Sequence, residues 1–134
     1  MSEPIAPTVT DVNRGFWEGA DAGELRVQRC GACGYLRYPS AAWCPECLSE
    51  DSEWQRLSGR GTVLSTLVFH QAYHPAWKDR IPYNVVLVQL DEGPRMISNV
   101  TPLGSVDIPV GTPVRVVFER EGEASIPRFE IIGE

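Results

Sequence analysis

Residues 30–47 read CGACGYLRYPSAAWCPEC. The stretch contains two CxxC pairs, Cys30 with Cys33 and Cys44 with Cys47, separated by ten residues. Two residues between cysteines allow a tight turn to point both sulfur atoms at one ion, while N–H groups of the turn donate to the thiolates. The spacing therefore predicts a four-cysteine metal site that uses every cysteine in the chain.

The residues around the cysteines suit such a site. Gly31 and Gly34 give the first turn the backbone freedom it needs, because glycine reaches positive φ at little cost. Pro45 stiffens the second turn, and residues 34–43 are long enough to fold back and bring the two pairs together. Four cysteine ligands leave no open coordination position, so we expect one structural Zn²⁺ per chain.

Two other interpretations of the cysteines stay open. Disulfides are one, but the first ten residues do not resemble a secretory signal, so we expect a cytoplasmic location with reduced thiols. Iron is the other, because residues 30–35 look like a rubredoxin knuckle. Leu48 stands where rubredoxins usually have glycine, and the pairs lie closer together than in rubredoxins, so we favour zinc.

The charge of the chain bears on its partners. The formal net charge is −6, and a Zn²⁺ bound by four thiolates would bring it to about −8. A surface of that sign repels a phosphate backbone, which argues against nucleic acid. Apolar runs such as residues 85–88 are far shorter than the roughly 20 residues that cross a bilayer, so we expect no membrane insertion.

The metal segment divides the rest of the chain into three predicted parts. Residues 1–22 form an N-terminal helical segment, with a helix over Thr10–Ala20 capped by Thr10 or Asp11. About three turns are marginal for an isolated helix, so this one must pack on something, with Phe16 and Trp17 on one side. Residues 23–57 form the zinc ribbon, its strands at 23–29 and 54–57.

Residues 58–134 read as β-structure without a helix. Asp91-Glu92-Gly93 is a hairpin turn between two of the runs. Five strands are predicted: 62–69, 83–90, 95–100, 113–120 and 126–132. The fold class is therefore mainly β: an N-terminal helix and a rubredoxin-like zinc ribbon, followed by a five-stranded OB-fold barrel.

Other candidate sites are weaker. His70 and His74 are four residues apart, but Pro75 favours an extended loop over a helix that would pair them. Tyr73 and Trp77 in this loop, with Phe16 and Trp17, are the aromatic residues that we expect to contact a partner, although plain packing is an equal alternative. The chain contains no Gly-x-Ser-x-Gly elbow, and Ser58-Gly59-Arg60-Gly61 opens no predicted helix, so phosphate binding there is poorly supported.

These residues together resemble the zinc-ribbon and OB-fold proteins catalogued as domain of unknown function 35, called acyl-CoA-associated. The matching elements run almost from end to end, although Ser40 stands where a second proline often follows Pro39. They are Gly15-Phe16-Trp17-Glu18-Gly19, Gly23-Glu24-Leu25, Arg29 to Gly34, Tyr38-Pro39, Trp43 to Cys47, Ser58 to Val63, Pro82 to Val85, Val88 to Gly93 and Gly111 to Val114.

The resemblance implies a function that spacing alone does not show. Members of this family are small partner subunits of thiolase-like enzymes, including acyl-CoA thiolases and the retro-aldolases that shorten steroid side chains. The thiolase-fold partner carries the catalytic residues, and the zinc-ribbon chain stabilises it and helps to shape the acyl-CoA entrance. Because thiolase-fold enzymes are usually dimers, we expect a heteromer of two plus two chains. The family supplies no catalytic residue to carry over.

Three functions are therefore weighed. The first is a non-catalytic accessory subunit of a thiolase or side-chain-cleaving aldolase, which also fits the acidic charge and the saturated metal site. The second is a protein that binds single-stranded nucleic acid, since zinc ribbons and OB-folds both occur in such proteins. The third is electron transfer by iron bound to the cysteines, which an absorbance spectrum would reveal.

Overall fold

A helix and two antiparallel sheets make up the part of the chain that the structure describes. The structure is a computed structural model, and it describes residues 7–71 and 75–132, without the side chains of residues 75–77. In chain order the elements are α1 (Arg14–Asp21), β1 (Arg26–Cys30), β2 (Leu36–Arg37), β3 (Ser52–Arg56), β4 (Arg60–Phe69), a 3₁₀ helix (Pro75–Arg80), β5 (Tyr83–Leu90), β6 (Arg95–Ser98), β7 (Pro113–Glu121) and β8 (Ala124–Ile131).

The ribbon sheet has the order β2-β1-β3. Its central strand β1 runs directly into Cys30, and Cys30 pairs with Ser52 at the start of β3. The two-residue strand β2 was not predicted, because two residues are too few to show an alternating pattern. This sheet therefore fixes the position of the backbone at Cys30, where the first cysteine pair begins.

Helix α1 begins later than predicted. Its N-cap is Asn13, so the predicted cap at Thr10 or Asp11 is wrong. The physical reason is a local turn: the backbone N–H of Thr10 donates to Asn13 Oδ1 at 2.7 Å, and that of Asn13 donates to Thr10 Oγ1 at 3.3 Å. These reciprocal bonds have the pattern of a capping box, and they lie in the turn that precedes Arg14, the first residue of α1.

Two glycines let α1 approach the ribbon closely. A Cβ atom on Gly15 would lie 2.2 Å from the ring of Trp54, and one on Gly19 would lie 2.8 Å from the side chain of Arg26. The residues are four apart and so face the same way. Glycines that lower helix propensity therefore make the packing of this short helix possible.

The second sheet curls into the predicted OB-fold. Its order is β6-β5-β4-β7-β8. The far edges meet where Val100, just after β6, forms a parallel bridge with Phe129 of β8. Thr101 N–H donates to the Phe129 carbonyl at 2.8 Å, and Phe129 N–H donates to the Asn99 carbonyl at 2.9 Å. The mainly β fold class is confirmed.

A single hydrophobic core joins the ribbon to the barrel. Phe16, Leu25 and Val27 belong to the same buried cluster as Val63 and Phe129. The division into residues 1–22, 23–57 and 58–134 stays a prediction. The described side chains of all three parts contribute to one buried cluster.

The connection between the first two barrel strands differs from the prediction. An extended loop was expected over residues 69–77, but the part from Pro75 onward belongs to a 3₁₀ helix over Pro75–Arg80; residues 72–74 lie outside the described residues. Proline is favoured at a first helical position, since it lacks an N–H that would have no partner there and its φ is already helical. Among the described helices, none is long and apolar enough to cross a bilayer.

One buried amide fixes a connection of the barrel. The Asn84 side chain is fully buried, and its Nδ2 donates to the carbonyl oxygens of Val100, Leu103 and Ser105 at 2.8–3.0 Å. Its Oδ1 accepts from the backbone N–H of Val100 at 2.6 Å. The side chain therefore holds the segment after β6 against β5.

Replacing Asn84 by aspartate should destabilise the protein by about 3 kcal/mol or more. The substitution removes the donors and places a buried oxygen against three carbonyl oxygens. Urea unfolding measures the change, with Ser65→Ala on the exposed side of the sheet as a control within about 0.5 kcal/mol of the wild type. An equally stable Asn84→Asp variant would contradict this role.

Candidate metal centre

The four predicted cysteines come together. All four Sγ atoms lie within 4.8 Å of one another. Cys30 Sγ is 3.5 Å from Cys47 Sγ, and Cys33 Sγ is 3.6 Å from Cys44 Sγ. A disulfide needs about 2.05 Å, whereas four sulfurs at about 2.3 Å from a tetrahedral ion lie about 3.8 Å apart. The geometry fits a metal ion and excludes disulfides.

The two cysteine pairs have the same backbone geometry. In the first, Gly34 at φ 79° donates its N–H to the Cys30 carbonyl at 3.0 Å. In the second, Leu48 at φ 66° donates to the Cys44 carbonyl at 2.8 Å. Both residues follow the first cysteine of their pair by four positions, so Leu48 is the counterpart of Gly34. We refer to these two turns as knuckles.

Backbone N–H groups point at the buried sulfurs. Those of Ala32 and Cys33 each lie 3.4 Å from Cys30 Sγ, and that of Glu46 lies 3.4 Å from Cys44 Sγ. Cys30 and Cys44 are buried, while Cys33 and Cys47 are exposed. Each knuckle thus supplies one inner and one outer sulfur, and one side of the centre faces outward.

The thiols do not ionise alike. The N–H of Cys33 lowers the pKa of the Cys30 thiol to about 6, against the opposing effect of burial. The N–H of Ser49 acts to lower the pKa of Cys47, but the hydrogen bond to Cys30, burial and the other two thiols raise it to about 12. Four thiolates at this spacing therefore need a cation among them. The donor set of four sulfurs suits zinc or iron.

Two of the four aromatic residues that were predicted to contact a partner have described side chains, and these two differ in exposure. Phe16 is 5% exposed and packs against Tyr38, with ring centroids 5.5 Å apart, so it has little surface left to offer. Trp17 is half-buried against the core. Tyr73 and the side chain of Trp77 lie outside the described residues, so contacts of these aromatics with a partner stay a prediction.

Sequence reasoning missed two exposed residues beside the second knuckle. Trp43 is 59% exposed and Leu48 is 76% exposed. The departure of Leu48 from the glycine usual in rubredoxins was the available signal. His70 is exposed, and because His74 is outside the described residues, the structure does not test a histidine pair.

A second cluster of charged groups is structural. Arg80 donates to Glu121 at 2.7 Å, and Arg128, which is 3% exposed, donates to Glu119 at 2.7 Å and to Glu121 at 3.1 Å. Burial acts to raise the pKa of Glu121, but the hydrogen bonds from Arg80 and Arg128 outweigh it and lower the pKa. The carboxylate stays ionised and ties the 3₁₀ helix to β7 and β8.

The outer face of β4, β5 and β6 carries four aliphatic side chains. Leu67 pairs with Val85, and Leu87 pairs with Ile97. Leu67 and Ile97 are 58% and 69% exposed. We call these four residues the aliphatic stripe; the depression beside it holds only about 90 Å³. The second and third strands of an OB-fold commonly form its ligand-binding face.

Fold and site together define a rubredoxin-like ribbon joined to an OB-fold. Residues 17–53 match the family model described as the ChsH2 rubredoxin-like zinc ribbon domain, and residues 54–119 match the ChsH2 C-terminal OB-fold domain. A solved structure described as an Ltp2-ChsH2(DUF35) aldolase shares 34% identity at a TM-score of 0.83, covering 94% of this chain and 98% of that one. The chain belongs to the ChsH2 family of DUF35 proteins.

Two further relatives differ in length. A DUF35 domain-containing scaffold protein of Methanothermobacter thermautotrophicus is 33% identical over 76% of this chain and 79% of its own length. A probable enoyl-CoA hydratase alpha subunit of Thermomonospora curvata is 36% identical over 92% of this chain. The chain spans only 38% of that subunit's length.

Zinc binding at pH 7 should release fewer than four protons per ion. The metal displaces only protons still on the thiols, and Cys30, with its pKa lowered to about 6, has already lost most of its proton at that pH. Calorimetric titration of the metal-free chain in buffers of different ionisation enthalpy measures the number. It should rise toward four, and affinity should fall, as the pH drops below 6. Release of a full four protons at pH 7 would contradict this ionisation of Cys30.

Proposed function

We propose that this chain is a non-catalytic, zinc-binding accessory subunit of a thiolase-like acyl-CoA enzyme, either a thiolase or a side-chain-cleaving aldolase. It stabilises the catalytic partner and shapes the acyl-CoA entrance, in a cytoplasmic heteromer of two plus two chains. The observation that carries this proposal is the likeness to the Ltp2-ChsH2(DUF35) aldolase, which extends over 98% of the matched chain. One relative is named a scaffold protein, which agrees with a supporting role, and another is named a probable enoyl-CoA hydratase alpha subunit, which agrees with a place in an enzyme assembly.

The metal centre supports a structural role. Four sulfur ligands fill a tetrahedral ion, so neither substrate nor an activated water has a coordination position. We assign zinc, one ion per chain, because it prefers this geometry and closed four-cysteine sites are typical of structural zinc. The ion would join the two knuckles and so hold the ribbon in shape.

The aliphatic stripe favours a protein partner over nucleic acid. Single-stranded nucleic acid is bound by basic grooves with aromatic side chains on which bases stack. Here the face that OB-folds commonly use carries Leu67, Val85, Leu87 and Ile97. The depression of about 90 Å³ is also small beside the roughly 300 Å³ or more of ordinary ligand pockets. Exposed apolar surface of this kind suits contact with another protein.

The isolated zinc-loaded chain should show no thiolase or aldolase turnover with acyl-CoA substrates. Co-expression with a thiolase-fold protein from the same genome should give a stable complex, seen by size-exclusion chromatography with light scattering. The partner should melt at a higher temperature in the complex than alone, since binding stabilises the folded state. Condensation or cleavage of acyl-CoA by this chain alone would overturn the proposal.

Single-stranded oligonucleotides should not bind this chain with submicromolar affinity. Genuine sites neutralise phosphates and lose affinity steeply as salt rises. Fluorescence anisotropy with a labelled single-stranded oligonucleotide, from low to physiological salt, tests this. Submicromolar binding that weakens with salt would favour the nucleic-acid function instead.

A further inference from the structure

The second knuckle contains a residue that its own fold does not favour. Leu48 has φ 66°, and its counterpart Gly34 has φ 79°. The left-handed region is open to glycine but disfavours leucine, because its Cβ atom crowds the following carbonyl. Among the residues that the structure describes, Leu48 is the only one other than glycine with a positive φ. The strain is thus confined to the knuckle that lacks glycine.

Within the part of the chain that the structure describes, no burial of the Leu48 side chain in the hydrophobic core offsets this strain. The Leu48 side chain is 76% exposed and belongs neither to the buried core nor to the hydrophobic residues packed against it. Glycine would satisfy the same backbone bond, because only the N–H of residue 48 is used. A strained backbone that presents an apolar side chain to solvent points to a role outside the folding of this chain.

Trp43 lies on the same knuckle. It is 59% exposed, whereas Trp17 and Trp54 pack against the core. The N–H of Cys44 donates to the carbonyl of Ser49 at 2.9 Å, which joins the two ends of the turn. We refer to Trp43 and Leu48 together as the ribbon knob. Tryptophan in particular is enriched among residues that dominate binding energy at interfaces.

The charges around the knob indicate the chemistry of its partner. Residues 38–55 contain Glu46, Glu50, Asp51 and Glu53 but no lysine or arginine. Glu53 has a cation nearby, Arg29 at 3.4 Å. Four thiolates around a divalent ion would add a net −2. A surface that is complementary to the knob is therefore an apolar socket with basic residues at its rim. A second copy of this chain, an anionic membrane or nucleic acid would be repelled by the negative charge.

We propose that the ribbon knob is the anchor by which this chain docks on its catalytic partner, inserting Trp43 and Leu48 into an apolar socket bordered by lysine or arginine. This inference rests on the proposed function, because the socket belongs to the thiolase-like subunit. The proposed function says that the chain binds a catalytic partner, and this inference says that it does so beside the metal centre. The strain at Leu48 is retained because the side chain is used in the complex.

The test compares four full-length, zinc-loaded chains: wild type, Leu48→Gly, Trp43→Ala and Val110→Ala. Val110 is 66% exposed but lies far along the chain from the ribbon, which makes it a matched apolar control. Affinity for the thiolase-fold protein recovered by co-expression is measured by biolayer interferometry at two salt concentrations. Melting temperature and zinc content are measured on the isolated chains.

Leu48→Gly and Trp43→Ala should each weaken binding by about tenfold or more, while Val110→Ala binds like the wild type. Leu48→Gly should melt at the same temperature as the wild-type chain or higher, since glycine relieves the strain, and should keep its zinc. Wild-type affinity should fall as salt rises. Weaker binding without lower stability is a combination that a purely structural Leu48 would not produce.

Two results would overturn the inference, and they are distinguishable. If the wild-type chain binds the thiolase-fold protein and both knob variants bind equally well, the knob is not the anchor and the proposed function stands. If Leu48→Gly loses stability or zinc in parallel with affinity, Leu48 is structural and the anchor is also rejected. If the wild-type chain binds no thiolase-like partner, the proposed function and the inference fail together.

Discussion

Crowding of four thiols at one point is the constraint on which the ribbon depends. Cys30 and Cys47 come within 3.5 Å, and the pKa values of their thiols move in opposite directions. The N–H of Cys33 lowers the pKa of Cys30. The N–H of Ser49 acts to lower the pKa of Cys47, but the hydrogen bond to Cys30 and burial raise it. A divalent ion removes that conflict and joins two turns that are otherwise connected through short strands and a ten-residue segment. The same closed coordination that stabilises the ribbon withholds the ion from chemistry. In the accessory role proposed above, the activity comes from the catalytic partner.

The surfaces of the chain differ in a way that suits such an assembly. The aliphatic stripe on the barrel consists of uncharged side chains, and Arg95, at an outward position on β6, donates to the neutral Gln89 at 3.1 Å. The ribbon knob is apolar as well, but the chain segment that contains it carries acidic residues and no lysine or arginine. One surface can therefore contribute apolar area, and the other can contribute orientation, since charges steer and align partners more than they hold them.

Much of this fold was accessible from the sequence because its signals are local. Cysteine spacing identified the centre, and an apolar run placed β5 at Tyr83–Leu90, where the structure has it. The start of α1 was not accessible, since it depends on a reciprocal turn between Thr10 and Asn13. Nor was the burial of Phe16, which follows from the close approach that Gly15 allows against Trp54. Exposure of Trp43 is likewise a tertiary property, because residue type alone predicts an interior tryptophan.

The unbroken interior has a consequence for how such proteins are inherited. Cutting the chain between the ribbon and the barrel would leave Leu25 and Val27 on one fragment and Val63 and Phe129 on the other, each stripped of its cover. Neither fragment could be fused alone to another polypeptide without exposing a hydrophobic surface. We therefore expect recombination to move the ribbon and the OB-fold together, as one unit.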